Sequence, residues 1–456
     1  MKFIRLMFII CLFSTPFLLQ QGVNASNQSV SNECENADGV SVPGAEKQKI
    51  ACLDDLSTEG LVLTGHTNPN DWAGLHAAGT SNPVGIPGIQ IDGYFPDTST
   101  TNKNNNWNHD SQFVIRLPDN WNGKLVITGA PGNRAQYAND FIISDWVLSK
   151  GYAFASTDKG NTGLQFYKDG DKPGDAIAEW HDRVRELTVA AKKTIKQYYG
   201  KPAKFTYMTG ISNGGYLTRY AIENSPDLFD GGVDWEGTLF SEDHNLLQYL
   251  PTALTYYPEF KLGSEDAHKK MLEAGFEPGS EFLWDYHYSV YWDLTQRIYR
   301  EELDPTYDGE LEAGIPYCQP GTPNCDADYN YEERKGFVKE AIDKVALTGK
   351  IKKPMITLHG TMDTLLPIKT DSDVYTRMIE ENGERNNKHR YYTIEDGTHT
   401  DSLYDQHPDK LRPILPCYRE SFELMEQWVE DKEKPPENQF IEHPESDDVV
   451  NSCTIQ

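Results

Sequence analysis

The sequence predicts an α/β fold, a mostly parallel sheet with helices on both faces. Short apolar, β-branched runs recur along the chain, segments of helical period lie between them, and two of those segments stop at Gly151 and Gly200. Strands that alternate with helices need crossovers, so neighbouring strands run parallel and both faces of the sheet need cover.

The elements follow in chain order. Lys2 and Arg5 precede an apolar run, Leu6–Leu19, broken by Pro16, and Val23-Asn24-Ala25 offers a small-residue cleavage site. Residues 1–25 therefore read as a secretory signal peptide, too short for a membrane span. The residue before Cys11 is not small, which argues against a lipid anchor. Residues 26–52 are polar and loop-like, an N-terminal extension. The core's first part covers 53–236, with strands expected at Ile89–Phe95 and Gln112–Leu117 around a polar loop, Thr98–Asp110. Lys124–Thr128 is a strand, Asp140–Lys150 a helix and Tyr152–Thr157 a strand. Trp180–Tyr199 is an amphipathic helix with Val184, Leu187, Ala191, Ile195 and Tyr198 on one face. Phe205–Thr209 and Gly231–Trp235 are strands on either side of a helix that begins near Tyr216. The alternation then breaks. Residues 237–350 are rich in aromatics, among them Tyr249, Tyr257, Trp284, Tyr291, Trp292 and Tyr299, and far exceed an ordinary crossover. They read as a large lid whose aromatics mostly form its own core. The core resumes over 351–432 with strands Pro354–His359 and Arg390–Ile394, and 433–456 is a C-terminal tail.

Chemistry concentrates at strand ends. Gly210-Ile211-Ser212-Asn213-Gly214 is a G-x-S-x-G pattern between a strand and a helix. Its glycines leave room for a tight turn that exposes the serine at the sheet's carboxyl edge. Asp363 follows the strand that ends at His359, and His399 follows the strand that ends at Ile394. Ser212, Asp363 and His399 thus occur in the order of an α/β-hydrolase triad. Rivals are weaker: His359 lies within a strand end, His407 precedes Pro408 in a polar stretch, and Asp396 and Asp401 are too close to His399 in sequence. Asp363 could also simply cap a helix near Thr364. An oxyanion hole needs two backbone donors: the N–H of Asn213, and one from Gly132 or Asn133 in the loop Gly129–Arg134. Asp158, Asn161, Trp235 and Glu236, on loops at strand ends, are candidate substrate contacts.

Charge and cysteines bound the partners. With 42 basic and 70 acidic residues the formal charge is −28. Such a surface repels nucleic acid and anionic membranes, so neither is an expected partner. The stretch from Asp326 begins like a calcium loop, but Tyr331 stands where glycine is needed and Phe337 where the last glutamate belongs. No metal or cofactor is expected. Once Cys11 leaves with the leader, Cys34, Cys52, Cys318, Cys325, Cys417 and Cys453 remain, and nearness in sequence pairs them in that order as three disulfides of an exported protein.

Gly210–Gly215, the Ser156–Asn161 segment and the long insert resemble the tannase and feruloyl esterase group of α/β-hydrolases and the related 3-hydroxybutyrate oligomer hydrolases. The resemblance spans about residues 53–430. It implies a secreted serine esterase whose lid selects the ester. In tannase-type enzymes cysteines beside the serine and histidine bridge the two; here Ile211 and Thr400 occupy those places. The substrate therefore stays open between an aryl or phenolic ester and a hydroxyalkanoate oligomer. Alternatives are a serine peptidase of the same fold, with Asp234 or Glu236 anchoring a peptide terminus, and a catalytically inactive ligand-binding homologue.

Overall fold

Ten strands form one sheet in the order β1-β2-β3-β5-β4-β6-β7-β8-β9-β10. They are β1 (Lys47–Leu53), β2 (Gly88–Tyr94), β3 (Gln112–Pro118), β4 (Lys124–Gly129), β5 (Ala153–Thr157), β6 (Phe205–Ile211), β7 (Gly231–Trp235), β8 (Met355–Gly360), β9 (His389–Ile394) and β10 (Gln439–Ile441). The computed structural model describes residues 37, 39–307, 329–383, 387–444 and 448–456. Pairings β1–β2, β2–β3 and β3–β5 are antiparallel; every other pairing is parallel. The anticipated α/β architecture is therefore present, a mixed sheet that is mostly parallel.

Alternate residues of each central strand feed opposite cores, as the period of two demands. On β4, Leu125 and Ile127 join a cluster with Leu187, Ala191 and Ile195 of a long helix; Val126 points the other way, among Tyr418, Phe422 and Met425. Short helices α1 (Thr58–Thr64) and α2 (Pro69–Trp72) precede β2, and α3 (Asp145–Ser149) precedes β5. The long helix is α4 (Asp175–Tyr199), which starts earlier than the apolar stripe suggested. Next come α5 (Asn213–Asn224) after β6 and, between β7 and β8, α6 (Leu246–Lys261), α7 (Glu265–Glu273), α8 (Glu281–His287), α9 (Asp293–Leu303) and α10 (Tyr331–Val345). Helix α11 (Ser372–Glu381) precedes β9, and α12 (Leu415–Glu430) covers the second face.

The insert between β7 and β8 is helical because it is capped and packed. Asn245 and Gln248 make a capping box at the start of α6, which satisfies amides that a helix start would otherwise leave open. Tyr249, Tyr257, Trp284 and Trp292 are buried in the cluster that also holds the sheet's first face.

Two strands escaped the sequence reading. β1 lies in the stretch taken as a loop-like extension, and β10 lies in the tail after residue 432. Both are edge strands. β1 opens with exposed Lys47 and Lys49 alternating with half-buried positions, so only its last four residues are apolar, too few to mark a central strand. β10 is three residues long.

Cys417 and Cys453 form the expected disulfide, tying α12 to the C-terminal segment. Cys52 is disulfide-bonded too, while Cys34, Cys318 and Cys325 lie outside the described residues. No helix among the described residues is long and apolar enough to cross a membrane.

Candidate active site

The carboxyl ends of β4, β6, β7, β8 and β9 meet at one edge of the sheet. Register pairs Ile211 with Trp235, Trp235 with Leu358, and Gly360 with Ile394. The residues just past these ends are forced into one neighbourhood.

Ser212 follows β6 directly and adopts φ 58°, ψ −121°. That strained left-handed geometry turns the chain sharply from strand into α5. Two glycines permit it: a Cβ on Gly210 would sit 2.6 Å from the Gly214 carbonyl carbon, and one on Gly214 would sit 2.6 Å from the Gly129 oxygen. Asn213 opens α5, so its backbone N–H has no acceptor within the helix and adds to the positive end of the dipole.

Asp363 and His399 come together from two separate loops. The Nδ1–H of His399 donates to Oδ2 of Asp363 at 2.8 Å. Oδ1 of Asp363 accepts the backbone N–H groups of Leu365 and Leu366 at 2.8 and 2.9 Å, which fixes the carboxylate plane. A second imidazole, His359, places Nε2 2.8 Å from the Leu366 carbonyl and 3.3 Å from Oδ2 of Asp363. Burial alone would push the Asp363 pKa up, but the two imidazoles outweigh it and hold the carboxyl well below its ordinary range. Burial would lower His399, yet the charge and hydrogen bond of Asp363 raise it above the usual histidine value. His359 is likewise held up, to about 9, against its burial.

Ser212 and His399 both line a cavity of about 180 Å³, together with Gly132, Asn133 and Asn213. The rest of its wall is mainly apolar: Leu75, Leu246, Leu294, Ile298 and Leu365 are on it, with Tyr291 and Tyr299 from the insert. The Asn213 side chain bolts the serine turn and the Gly132 loop to the insert. It donates to the Gly132 carbonyl at 3.1 Å and to the Tyr299 hydroxyl at 2.6 Å, and accepts from Thr238 at 3.0 Å. Gly132 itself has φ 50°, a conformation natural to glycine.

Four residues expected at the substrate are elsewhere. Asp158 is fully buried and accepts from Asn102, from the Gln112 N–H and from the Gly160 N–H, so it shapes the loop after β5. Asn161 joins that loop to α4 by accepting from Trp180 Nε1 at 2.7 Å and donating to the Ala176 carbonyl. Trp235 faces the second core, stacked on Tyr418, because it shares a strand face with Val233. Glu236 is fully buried behind His399 and does not line the cavity. Position at a strand end is visible in sequence; the direction of the side chain is not.

Residues that sequence reasoning passed over include Arg134, Thr238 and Leu366, all on the cavity wall. Arg134 ends the loop assigned to the oxyanion, and its proximity to Gly132 was the available signal. Also unforeseen is a buried ion cluster under the site. Arg219 on α5 donates through Nε to Asp234 at 2.6 Å, through Nη1 to Asp371 at 2.8 Å and through Nη2 to Ser372 Oγ at 2.7 Å. Ser372 Oγ in turn lies 2.6 Å from Nδ1 of His359, so the cluster reaches Asp363.

Comparison with known proteins gives a consistent result. The family described as tannase and feruloyl esterase matches residues 98–235. A probable feruloyl esterase of Arthroderma benhamiae is 32% identical over 125 residues, which is 26% of this chain and 23% of that protein. Dipeptidyl aminopeptidase BIII of Pseudoxanthomonas mexicana is 30% identical over 161 residues, 35% of this chain and 21% of that protein. The chain thus matches less than a quarter of the length of each of these curated relatives. The crystal structure of feruloyl esterase B from Aspergillus oryzae superposes with a TM-score of 0.58 at 15% identity, covering 88% of this chain and 90% of that one, a likeness of fold. The family match runs from the loop before β3 through the serine turn to the end of β7, so this part of the chain is similar to the tannase and feruloyl esterase family, and the sheet as a whole follows the fold of that crystal structure.

Proposed function

We propose that the protein is an exported carboxylic ester hydrolase working through Ser212, His399 and Asp363. The observation that carries this reading is the 2.8 Å bond between His399 Nδ1 and Asp363, with the same imidazole and Ser212 opening onto one cavity. Nδ1 is engaged, so Nε2 is the nitrogen left to take the hydroxyl proton as Ser212 attacks the ester carbonyl. The tetrahedral oxyanion is met by the N–H of Asn213 and an N–H of Gly132 or Asn133. The imidazolium, stabilised by Asp363, returns the proton to the leaving alkoxide and an acyl-enzyme forms. Water, activated by the same imidazole, then releases the acid. The helices between β7 and β8 serve as the lid, contributing Tyr291, Leu294, Ile298 and Tyr299 to the acyl pocket. A screen of the purified protein on aryl esters, short acyl esters and hydroxybutyrate oligomers, alongside fluorophosphonate labelling, tests the reading. Absence of both turnover and labelling removes it.

The cavity favours an acid with an apolar body and a carboxylate end, as a hydroxyalkanoate oligomer has. Among the described residues no carboxylate lines the wall, and Arg134 supplies its one permanent charge. Arg134 is held in place by donating Nη1 to the carbonyls of Asp71 and Ala73 at 2.7 and 2.9 Å. A charge-assisted bond contributes about 1.5–3 kcal/mol, so Arg134→Gln should raise KM for a hydroxybutyrate dimer by about tenfold or more, with a much smaller change for p-nitrophenyl butyrate. Equal changes on both substrates would remove this role. The peptidase alternative loses its anchor: Asp234 is spent on Arg219 and Glu236 sits behind the imidazole.

The raised His399 pKa sets the pH dependence. The base must be neutral to accept the serine proton, and a raised value keeps it protonated to higher pH. The acid limb of kcat/KM should therefore fall at a pH above that of an unperturbed histidine, and a limb below it would contradict the pairing. Export is supported by the Cys417–Cys453 bond and by the leader-like start, and comparing culture medium with cells tests it.

A further inference from the structure

Glu236 directly follows β7 with φ 48°, a backbone region that suits glycine or asparagine and strains a glutamate. Its side chain is wholly buried. Oε1 accepts the Gly360 N–H at 2.8 Å, at the end of β8 and just before the loop of Asp363. Oε2 has no hydrogen-bond partner and lies 3.7 Å from Nδ1 of His399. The same nitrogen donates to Asp363 at 2.8 Å, so one imidazole N–H faces carboxyl groups from two different strand ends. A buried carboxylate oxygen with no partner is costly, and a strained backbone that aims it at the imidazole is not what simple packing would select.

The two acids differ in how they are held. Asp363 has two loop amides and two imidazoles around it and stays ionised. Glu236 has one amide; burial first, then the Asp363 charge, push its pKa up to about 8, so it keeps its proton near neutrality. The titratable groups facing Glu236 are Asp363 and His359 from β8 and its loop, and His399 from the loop after β9. Removing Asp363 takes away the largest opposing charge on Glu236. It also leaves Nδ1–H without its acceptor, with Oε2 about one ångström beyond hydrogen-bond distance.

We propose that Glu236 is a positioning residue for His399, a second carboxyl group that faces Nδ1 beside Asp363 and takes over its orientation when Asp363 is removed. This rests on the esterase reading. Its test is a double-mutant cycle, with Glu236→Gln, Asp363→Ala and the pair, followed by fluorophosphonate labelling rate and p-nitrophenyl acetate hydrolysis across pH. Gln keeps the bond to the Gly360 N–H and the side-chain volume while removing the group that can ionise once Asp363 is gone. Glu236→Gln alone is expected to slow labelling by about threefold, but by about thirtyfold or more in the Asp363→Ala background, a coupling within the range found for contacting residues. Asp363→Ala should retain a raised acid limb of the pH profile, and the double variant should lose it. Additive losses with unmoved limbs overturn the proposal. If Asp363→Ala fails to fold, Asp363→Ser, whose hydroxyl can still accept from the loop amides, enters the same cycle. A wild-type protein that neither labels nor hydrolyses sinks the esterase reading itself; a labelled wild type with an additive cycle sinks only the role of Glu236.

Discussion

Ser212→Ala is expected to lower kcat by a factor on the order of 10⁴–10⁶ while the fold stays intact. The loss is this large because, in the proposed mechanism, the hydroxyl forms and breaks the bond to the acyl group, and among the described wall residues no other hydroxyl sits on the turn between β6 and α5. The fold is spared because the turn is enforced by Gly210 and Gly214 and by backbone bonds. The Ser212 N–H donates to the Trp235 carbonyl at 3.0 Å, and its carbonyl accepts the Tyr216 N–H at 2.9 Å. Neither bond involves the hydroxyl. Kinetics on whichever ester the wild type turns over, with thermal unfolding of both proteins, checks this. Activity within tenfold of wild type would refute the nucleophile.

Arg219→Ala is expected to be the most destabilising single change near the site, by about 3–5 kcal/mol. The guanidinium, Asp234 and Asp371 are all buried, so removing the arginine leaves carboxylates without their counter-charge. Burial tends to raise the Asp234 pKa and Arg219 opposes it, so in the variant the aspartate would have to take up a proton or water. The loss should travel further than stability. Asp371 also accepts the Leu239 N–H at 2.7 Å, in the chain leading into the insert, and Ser372 contacts His359. Denaturant midpoints compare the variant with wild type. A shift equivalent to less than 1 kcal/mol would show that the cluster is not supporting the sheet edge.

Much of the architecture could be read before any coordinates. Phe205–Thr209 and Pro354–His359 announced themselves because strands buried on both faces are rich in apolar and β-branched residues. The serine turn was legible because its requirement for glycine is local: each missing Cβ answers a contact only a few residues or one strand away. The meeting of Asp363 and His399 was legible because both follow visible strand ends and the order Ser, Asp, His limits the choice. Edge strands were not. β1 mixes lysines with half-buried positions, and β10 is too short to show a pattern.

Side-chain direction was the other blind spot. Asp234 and Trp235 are adjacent, yet the first points to Arg219 and the second to Tyr418, as alternation along β7 requires. Glu236 then departs from that alternation through its positive φ and turns toward the imidazole. No composition or spacing rule reports a single backbone dihedral.

The order of the central strands and helices, the tight turn at Ser212 and the nearness of Asp363 to His399 were written in the chain itself, since each depends on a local pattern. What only the folded molecule decided is which carboxylates face the imidazole, which cation faces the cavity and which polar residues are spent on buried bonds. Those outcomes depend on contacts between segments more than a hundred residues apart, such as Glu236 with Gly360 and Arg219 with Asp371, and strand register with backbone twist sets them.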